Sequence, residues 1–424
     1  CTMLVMKFGG TSVGVAANCE RALAIVRERA ALDPVVVVSA LSGVTNQLVE
    51  LCRAGVSREL LLPALDERHR MHARALDVSE SVVAPLLGEL RADPALAVGG
   101  QAIGREDRDR VLAFGERLAA ELFAAALAAR GTPARAVHAG EAGLVTDERF
   151  GQAHPEPEAY ERLREGLADR TRVPVVTGFI GHTTDGRTTT LGRGGSDYSA
   201  ALIGAALGAG EIQIWTDTSG MLSADPRVVP EARPVPRLSF AEACELAYFG
   251  AQVLHPKTLL PAMERGIPVR ILNTARHTDA GSLITAHAEP APHGWQVKSI
   301  ACKQGITAVT IASTRMLLAH GFLARVFEVF GRHHVVVDLV TTSEVSISVT
   351  VDDTSRLAEA VAELEAIGRV EVREGLAVVA VVGEGAPTQI GLAGHVFTLL
   401  GGVGVPVEMI SQGASRVNLS FVVA

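Results

Sequence analysis

Residues 188–200 read TTTLGRGGSDYSA. Three threonines lead into Gly192, Arg193, Gly194 and Gly195, and Ser196 with Asp197 stand where a helix would begin ahead of the apolar run SAALIGAALGA at 199–209. A turn needs one glycine; three around a single arginine let the backbone approach a bound molecule closely. Arg193 offers a forked donor to a carboxylate, while Ser196 and Asp197 can cap the helix or receive an ammonium. The set suits a zwitterionic amino acid. An ordinary Ser/Asp cap with Arg193 in solvent accounts for the helix start and leaves the glycines unused.

The same junction of strand, small-residue loop and helix recurs outward from this stretch. It appears in MLVMKFGGTSVG (3–14), in PVVVVSALSGVTNQLVELCRAG (34–55), in PVVTGFIG (174–181) and in EIQIWTDTSGML (211–222), with helices such as DRVLAFGERLAAELFAAALAAR (109–130) between them. Four consecutive valines read as a strand buried on both faces. Alternating strands and helices predict an α/β fold, a mainly parallel open sheet sandwiched by helices, which binds ligands outside the carboxyl ends of its strands.

The loops at those ends carry the candidate residues. Lys7, Gly9 and Gly10 place one ammonium and backbone N–H groups where they can face an anion such as phosphate. Taken alone, the pattern is weak and better read as a tight strand-to-helix turn with an unrelated lysine, and no Walker loop occurs in the chain. Ser39 and Thr45 lie on the polar turn after the valine strand, where capping would account for them. Glu116 stands on a helix that is otherwise apolar on one face, a position that by itself reads as a solvated residue. Thr216 and Asp217 follow another strand, and Asp225-Pro226-Arg227 forms a fixed turn beyond them.

Near residue 285 the character changes. TAHAEPAPHGWQ (285–296) lacks periodicity and reads as a linker, and beyond it a βαββ(αβ) pattern occurs twice. The expected organisation is a catalytic domain over 1–285, a linker over 286–298, and two ferredoxin-like βαββαβ units over 299–376 and 377–424. The second unit is incomplete, stopping after its second hairpin strand.

Composition narrows the function. At 424 residues and 48% hydrophobic, the chain supports two to four domains of about 150 residues each. The net charge of −8, without a basic stripe, argues against a nucleic-acid partner. No apolar run reaches the roughly 18–20 residues needed to cross a bilayer, so a cytoplasmic location is expected. Five scattered cysteines and thirteen histidines show no metal-ligand spacing. Only four lysines occur, Lys7, Lys257, Lys298 and Lys303, so each weighs more as a specific ammonium.

Six segments in this order, KFGGTSVG, VVVSALSGVTNQL, GERL, GFIGHTTDGRTTTLGRGGSDYSAAL, WTDTSGMLSADPRVVPEA and LAYFGAQVLHPKTLLPA, resemble the aspartate kinases of the amino acid kinase family. The two C-terminal units resemble their ACT domains. The resemblance covers nearly the whole chain. It implies transfer of the γ-phosphoryl of MgATP to the β-carboxylate of L-aspartate, the first step toward lysine, threonine and methionine. On the matching positions it makes Lys7 and Asp197 catalytic. It places aspartate against Ser39, Thr45, Glu116, Arg193, Gly194 and Ser196, and the nucleotide against Gly9, Gly10, Thr216, Asp217, Leu222, Arg227 and Lys257. Leu222 and Gln252 depart from the family, which commonly has Tyr and Lys there. A sensor with weak catalysis and a kinase of another acidic amino acid are the alternative readings.

The stretch MLLAHGFLARVFEVFGRHHVVVDLVTTSEVSISV (316–349) resembles the effector-binding ACT unit of lysine-inhibited members. The resemblance implies a pocket for L-lysine, or alternatively L-threonine, from Met316, Gly321, Phe322, Leu323, Asp338, Ser343 and Glu344. Asp338 would take the side-chain ammonium, and Ala319 stands where the family often has Ser. A homodimer or tetramer joined through these units is also expected, because single βαββαβ units leave a sheet edge and one apolar face to cover.

Overall fold

A computed structural model describes residues 3–97, 102–250, 254–289, 295–316, 320–412 and 416–424. Its strands are β1 Leu4–Phe8, β2 Pro34–Val38, β3 Ala134–Val137, β4 Val173–Thr177, β5 Ile180–His182, β6 Thr188–Thr190, β7 Glu211–Thr216, β8 Arg237–Ser239, β9 Val269–Asn273, β10 Ser282–Thr285, β11 Ser299–Ala312, β12 Val337–Thr342, β13 Ser346–Val351, β14 Arg369–Val382, β15 Val407–Ser411 and β16 Asn418–Val423. Two compact units result. One comprises Cys1–Met221, Pro234–Phe240 and Gln252–His287; the other comprises Leu222–Arg233, Ala241–Ala251 and Ala288–Ala424.

The first unit is built on an eight-stranded sheet in the order β3-β4-β2-β1-β7-β9-β10-β8. Its centre is parallel, and β10 runs antiparallel to β9. Every residue of β1 and β2 is buried, as near-continuous apolar strands between helical layers must be. Phe8 stacks between Phe123 and Trp215, with centroids 5.7 and 5.9 Å away. The helix Gly195–Leu207 is apolar on almost all sides and correspondingly buried. On the long helix Arg105–Ala129, Gly115 has no room for a side chain, since a Cβ there would lie 2.8 Å from that of Ala40. That close approach brings Glu116 against the loop after β2.

The second unit carries one antiparallel sheet in the order β12-β13-β11-β14-β16-β15. β11 and β14 are each 14 residues long and serve both C-terminal repeats. Their distal halves pair Ala308–Ala312 with Arg373–Arg369 in the first repeat, and their other halves pair Ser299–Gln304 with Val382–Ala377 in the second. The ladder slips between Gln304 and Ala308, where Gly305 and Gly375 both take φ 75°. Only glycine occupies that region without strain, so the pair permits the bulge at which one repeat gives way to the other.

The 376/377 boundary expected between the repeats therefore falls inside β14. In the second repeat the half of β14 at Ala377–Val382 pairs with β16 on one side and with Ser299–Gln304, from upstream, on the other. Sequence order hides this because that strand precedes the first repeat. The described end of the linker segment is likewise engaged with the second repeat: Trp295 stacks on His395, Gln296 N donates to Gln389 Oε1 at 2.8 Å, and Lys298 N donates to Val382 O at 2.8 Å. The first repeat packs Phe322, Val326, Val329 and Phe330 against Ile347, Val349 and Val351, while the second builds a smaller core around Val381, Leu419 and Phe421.

Candidate active site

In the first unit a cleft of about 900 Å3 opens at the carboxyl ends of β1, β2 and β4. Lys7, Gly10, Ser39, Thr45, Glu116, Arg193, Gly194, Ser196 and Asp197 all line it. Lys7 projects from an otherwise apolar strand, and its ammonium meets Asp197 Oδ1 at 2.6 Å with both side chains about nine-tenths buried. Such a pair fixes the ammonium in place. Asp197 lies in the first turn of its helix, behind Gly194 at φ 70°. At Gly194 a side chain would crowd His255 and Thr258, each 3.0 Å away, so glycine is dictated there by close approach as well as by conformation.

Glu116 is not the solvated residue its helix position suggests. It is 3% exposed, and its Oε1 accepts from Ala40 N at 3.1 Å. Its Oε2 is buried without a hydrogen-bond partner. Burial pushes its carboxyl up to about 8, against the hydrogen bond from Ala40 and the nearby charge of Lys7. Arg193 is exposed and makes no hydrogen bond or ion pair among the described residues. An unsatisfied carboxylate oxygen and a free guanidinium in one cleft are complementary to an ammonium and a carboxylate carried by one ligand.

Gly9 differs from expectation. Its N–H donates to Trp215 O at 3.1 Å, closing the strand end, so it is not available to cradle an anion. Thr216 Oγ1 donates to Asp217 Oδ1 at 3.2 Å, and Asp217 is exposed. Lys257 lies 4.9 Å over the ring of Tyr198, and burial holds its pKa below the ordinary value. None of these four lines the cleft. Leu222 and Arg227 belong to the second unit, where Leu222 O accepts from Ser299 Oγ and Arg227 forks onto Asp225 at 2.7 Å. Gln252 and Ala319 lie outside the described residues.

Several cleft residues were not singled out from the sequence: Arg105, Arg108, Asp109, Phe150, Gly151 and Gln152. Asp109 carried a usable signal, since it precedes Glu116 by seven residues and so shares its helix face. Among the described residues no cluster of three acidic, His or Cys side chains could hold a metal. Within the cleft, Asp197 Oδ1 pairs with Lys7 and Glu116 Oε1 accepts from Ala40 N, which leaves Glu116 Oε2 as the unpartnered carboxylate oxygen.

The candidate effector residues lie in the first ACT repeat, and Asp338 is already engaged. Its side chain is 4% exposed, it accepts a hydrogen bond from Tyr248 Oη, and Lys303 Nζ stands 3.7 Å from its Oδ2. The same lysine reaches Asp352 at 2.5 Å and lies 5.1 Å from the Tyr248 ring. A carboxylate that looked free in sequence is thus occupied from within. Gly321 caps the helix Phe322–Arg332 at φ 75°, Phe322 is core, Leu323 is exposed, and Met316 packs against the core's edge. Ser343 closes the β12–β13 turn through Ser346, with Glu344 exposed at its tip.

A family model described as the amino acid kinase family matches residues 2–273, and one described as an ACT domain matches 309–366 and 379–424. Aspartokinase 1, chloroplastic, of Arabidopsis thaliana is 39% identical over 99% of this chain and 77% of its own length. Lysine-sensitive aspartokinase 3 of Escherichia coli (strain K12) is 37% identical over 99% of this chain and 95% of its own. The structure of E. coli aspartokinase III with aspartate and ADP superimposes with a TM-score of 0.86 at 36% identity, covering 99% of this chain and 96% of that one. The same enzyme with lysine and aspartate gives 0.79. With its catalytic unit matched by the family model and aspartokinases aligned along 99% of its length, the chain belongs to the amino acid kinase family, among the aspartokinases that carry ACT domains.

Proposed function

We propose that the cleft binds L-aspartate and transfers the γ-phosphoryl of MgATP to its β-carboxylate, giving 4-phospho-L-aspartate at the head of lysine, threonine and methionine biosynthesis. The observation that carries this is the buried, unpartnered Glu116 Oε2 in the same cleft as the free Arg193. Glu116 takes the substrate ammonium and Arg193 a carboxylate, with Ser39, Thr45, Gly194 and Ser196 completing the pocket. A carboxylate oxygen attacks the γ-phosphorus while the bond to the ADP oxygen breaks. The nucleophile is already ionised, so no general base is needed and catalysis is alignment plus neutralisation of charge on the moving group. Lys7, aimed by Asp197, supplies that charge, and Gly10 borders the path. Magnesium is part of the nucleotide substrate, held by its phosphates. Thr216, Asp217 and Lys257, all of the first unit, form the nucleotide side in this reading.

Turnover with aspartate, ATP and magnesium should yield an acyl phosphate trapped by hydroxylamine. Glutamate should be far poorer, because one methylene moves its carboxylate out of line. Equal turnover of the two, or of neither, overturns the assignment.

For regulation, L-lysine is the inhibitor this reading favours, with threonine the alternative. Asp338 is its ammonium acceptor, and the amides at the start of the Phe322–Arg332 helix receive its carboxylate. The internal partners of Asp338 mean that lysine must displace Lys303 and Tyr248. Assembly as a homodimer or tetramer through the ACT sheet accords with the exposed apolar side chains of Leu323, Phe327, Val336 and Val340 in the first repeat.

A further inference from the structure

Asp109 is 1% exposed on the helix that carries Glu116 two turns later. Its Oδ2 accepts from Gly151 N and from Thr190 N, both at 2.8 Å, and its Oδ1 accepts from Thr190 Oγ1 at 2.9 Å. Three chain segments therefore meet at one side chain: the Glu116 helix, the turn at residues 150–152, and the end of β6. From Thr190 the chain runs directly through Leu191 and Gly192 to Arg193. Neighbouring contacts tighten the junction, since Ala153 N donates to Thr190 O at 2.9 Å and a Cβ at Gly192 would lie 3.0 Å from Gly151 O.

Asp109 makes no ion pair among the described residues. Burial raises its pKa, with the donors from Gly151 and Thr190 and the nearby charge of Arg108 acting against that rise. A buried carboxylate outside any direct ion pair is a costly way to fill space, and both of its oxygens accept from Thr190, which leads into the arginine loop.

We propose that Asp109 is a positioning residue for the amino acid substrate: it sets the span between the Arg193 guanidinium and the Glu116 carboxylate. The proposal rests on the reading that these two groups hold the carboxylate and ammonium of one molecule. A fixed span selects ligands by the separation of their charged groups, and loosening it weakens aspartate binding while leaving the nucleotide contacts alone.

The test is steady-state kinetics on the full chain, varying aspartate and ATP separately, for Asp109→Ala, Asp109→Asn and Arg193→Ala. Asparagine keeps the tie, since its carbonyl accepts from both backbone N–H groups and its amide donates to Thr190 Oγ1. Asp109→Ala should raise KM for aspartate on the order of tenfold or more, through loss of the buried tie and misplacement of Arg193. KM for ATP should stay within about twofold, and Asp109→Asn should restore most of the loss. If Asp109→Ala does not fold, Thr190→Val, which deletes only the Oδ1 bond, is expected to give the same split at smaller amplitude. A lowered Tm with both KM values unchanged, or equal rises in both, overturns the proposal. If Arg193→Ala leaves KM for aspartate unchanged, the underlying pocket reading falls. If Arg193→Ala raises it and the position-109 and Thr190 variants do not, only the positioning role falls.

Discussion

At the scale of single residues, the cleft separates groups that bind from a group that acts on the transferring charge. Lys7→Ala should lower kcat by orders of magnitude with little change in KM for aspartate, because its ammonium, held by Asp197, acts on charge that develops in the transition state. Arg193→Ala should instead raise KM for aspartate sharply; reversed phenotypes would exchange their roles. Glu116 makes the pocket sensitive to pH. Burial raises its carboxyl from an ordinary 4.5 to about 8, so at neutral pH the empty protein holds a proton there that an ammonium ligand must expel. KM for aspartate should fall as pH rises toward 8, by up to about tenfold per unit, and Glu116→Gln should raise KM and flatten that slope. Stability runs the other way. Between 4.5 and about 8 the unfolded chain has lost a proton the folded one keeps, so folding weakens as pH rises through that window. Thermal melts of Glu116→Gln should lack that component of the decline.

At the scale of elements, the strand-end loops were legible because their chemistry is local: glycines, an arginine and an acidic helix start within a few residues of each other. Asp338 was only half legible. Its place on β12 follows from the pattern, whereas its partners come from a helix 90 residues earlier and from the opposite half of β11. Local pattern cannot reveal such a pairing. Lys303 bears the same ammonium that a lysine effector would bring, so Lys303→Met should lower the lysine concentration for half-inhibition, by up to about fivefold for a partly exposed pair. Asp338→Ala should abolish inhibition with basal turnover intact. Unchanged sensitivity in Lys303→Met would show that the internal ammonium does not compete. Asp109 escaped for a related reason, since its donors arrive from two distant loops.

At the scale of the molecule, the α/β sheet and the paired ACT repeats were both visible in periodicity, but the way the second repeat closes was not. Its stability leans on a buried ion pair. Lys298 Nζ meets Glu242 Oε2 at 2.9 Å, the two side chains are 6% and 0% exposed, and Glu384 N donates to the other Glu242 oxygen at 2.7 Å. Removing one partner strands the other charge, so Glu242→Ala should destabilise the second unit by about 3–5 kcal/mol in denaturant unfolding. Adding Lys298→Met should recover much of that loss; a single variant within error of the wild type would contradict this account.

The sharing of β11 and β14 between repeats also orders events during synthesis. Ser299–Gln304 leaves the ribosome well before its partner Ala377–Val382 exists, whereas the first repeat can pair its own halves of the same strands as soon as Arg369–Arg373 emerges. At about 5–20 residues per second, the stretch from Arg373 to Val382 takes about 0.5–2 s more to emerge, and until then the early half-strand is an uncovered edge that a neighbouring nascent chain could capture.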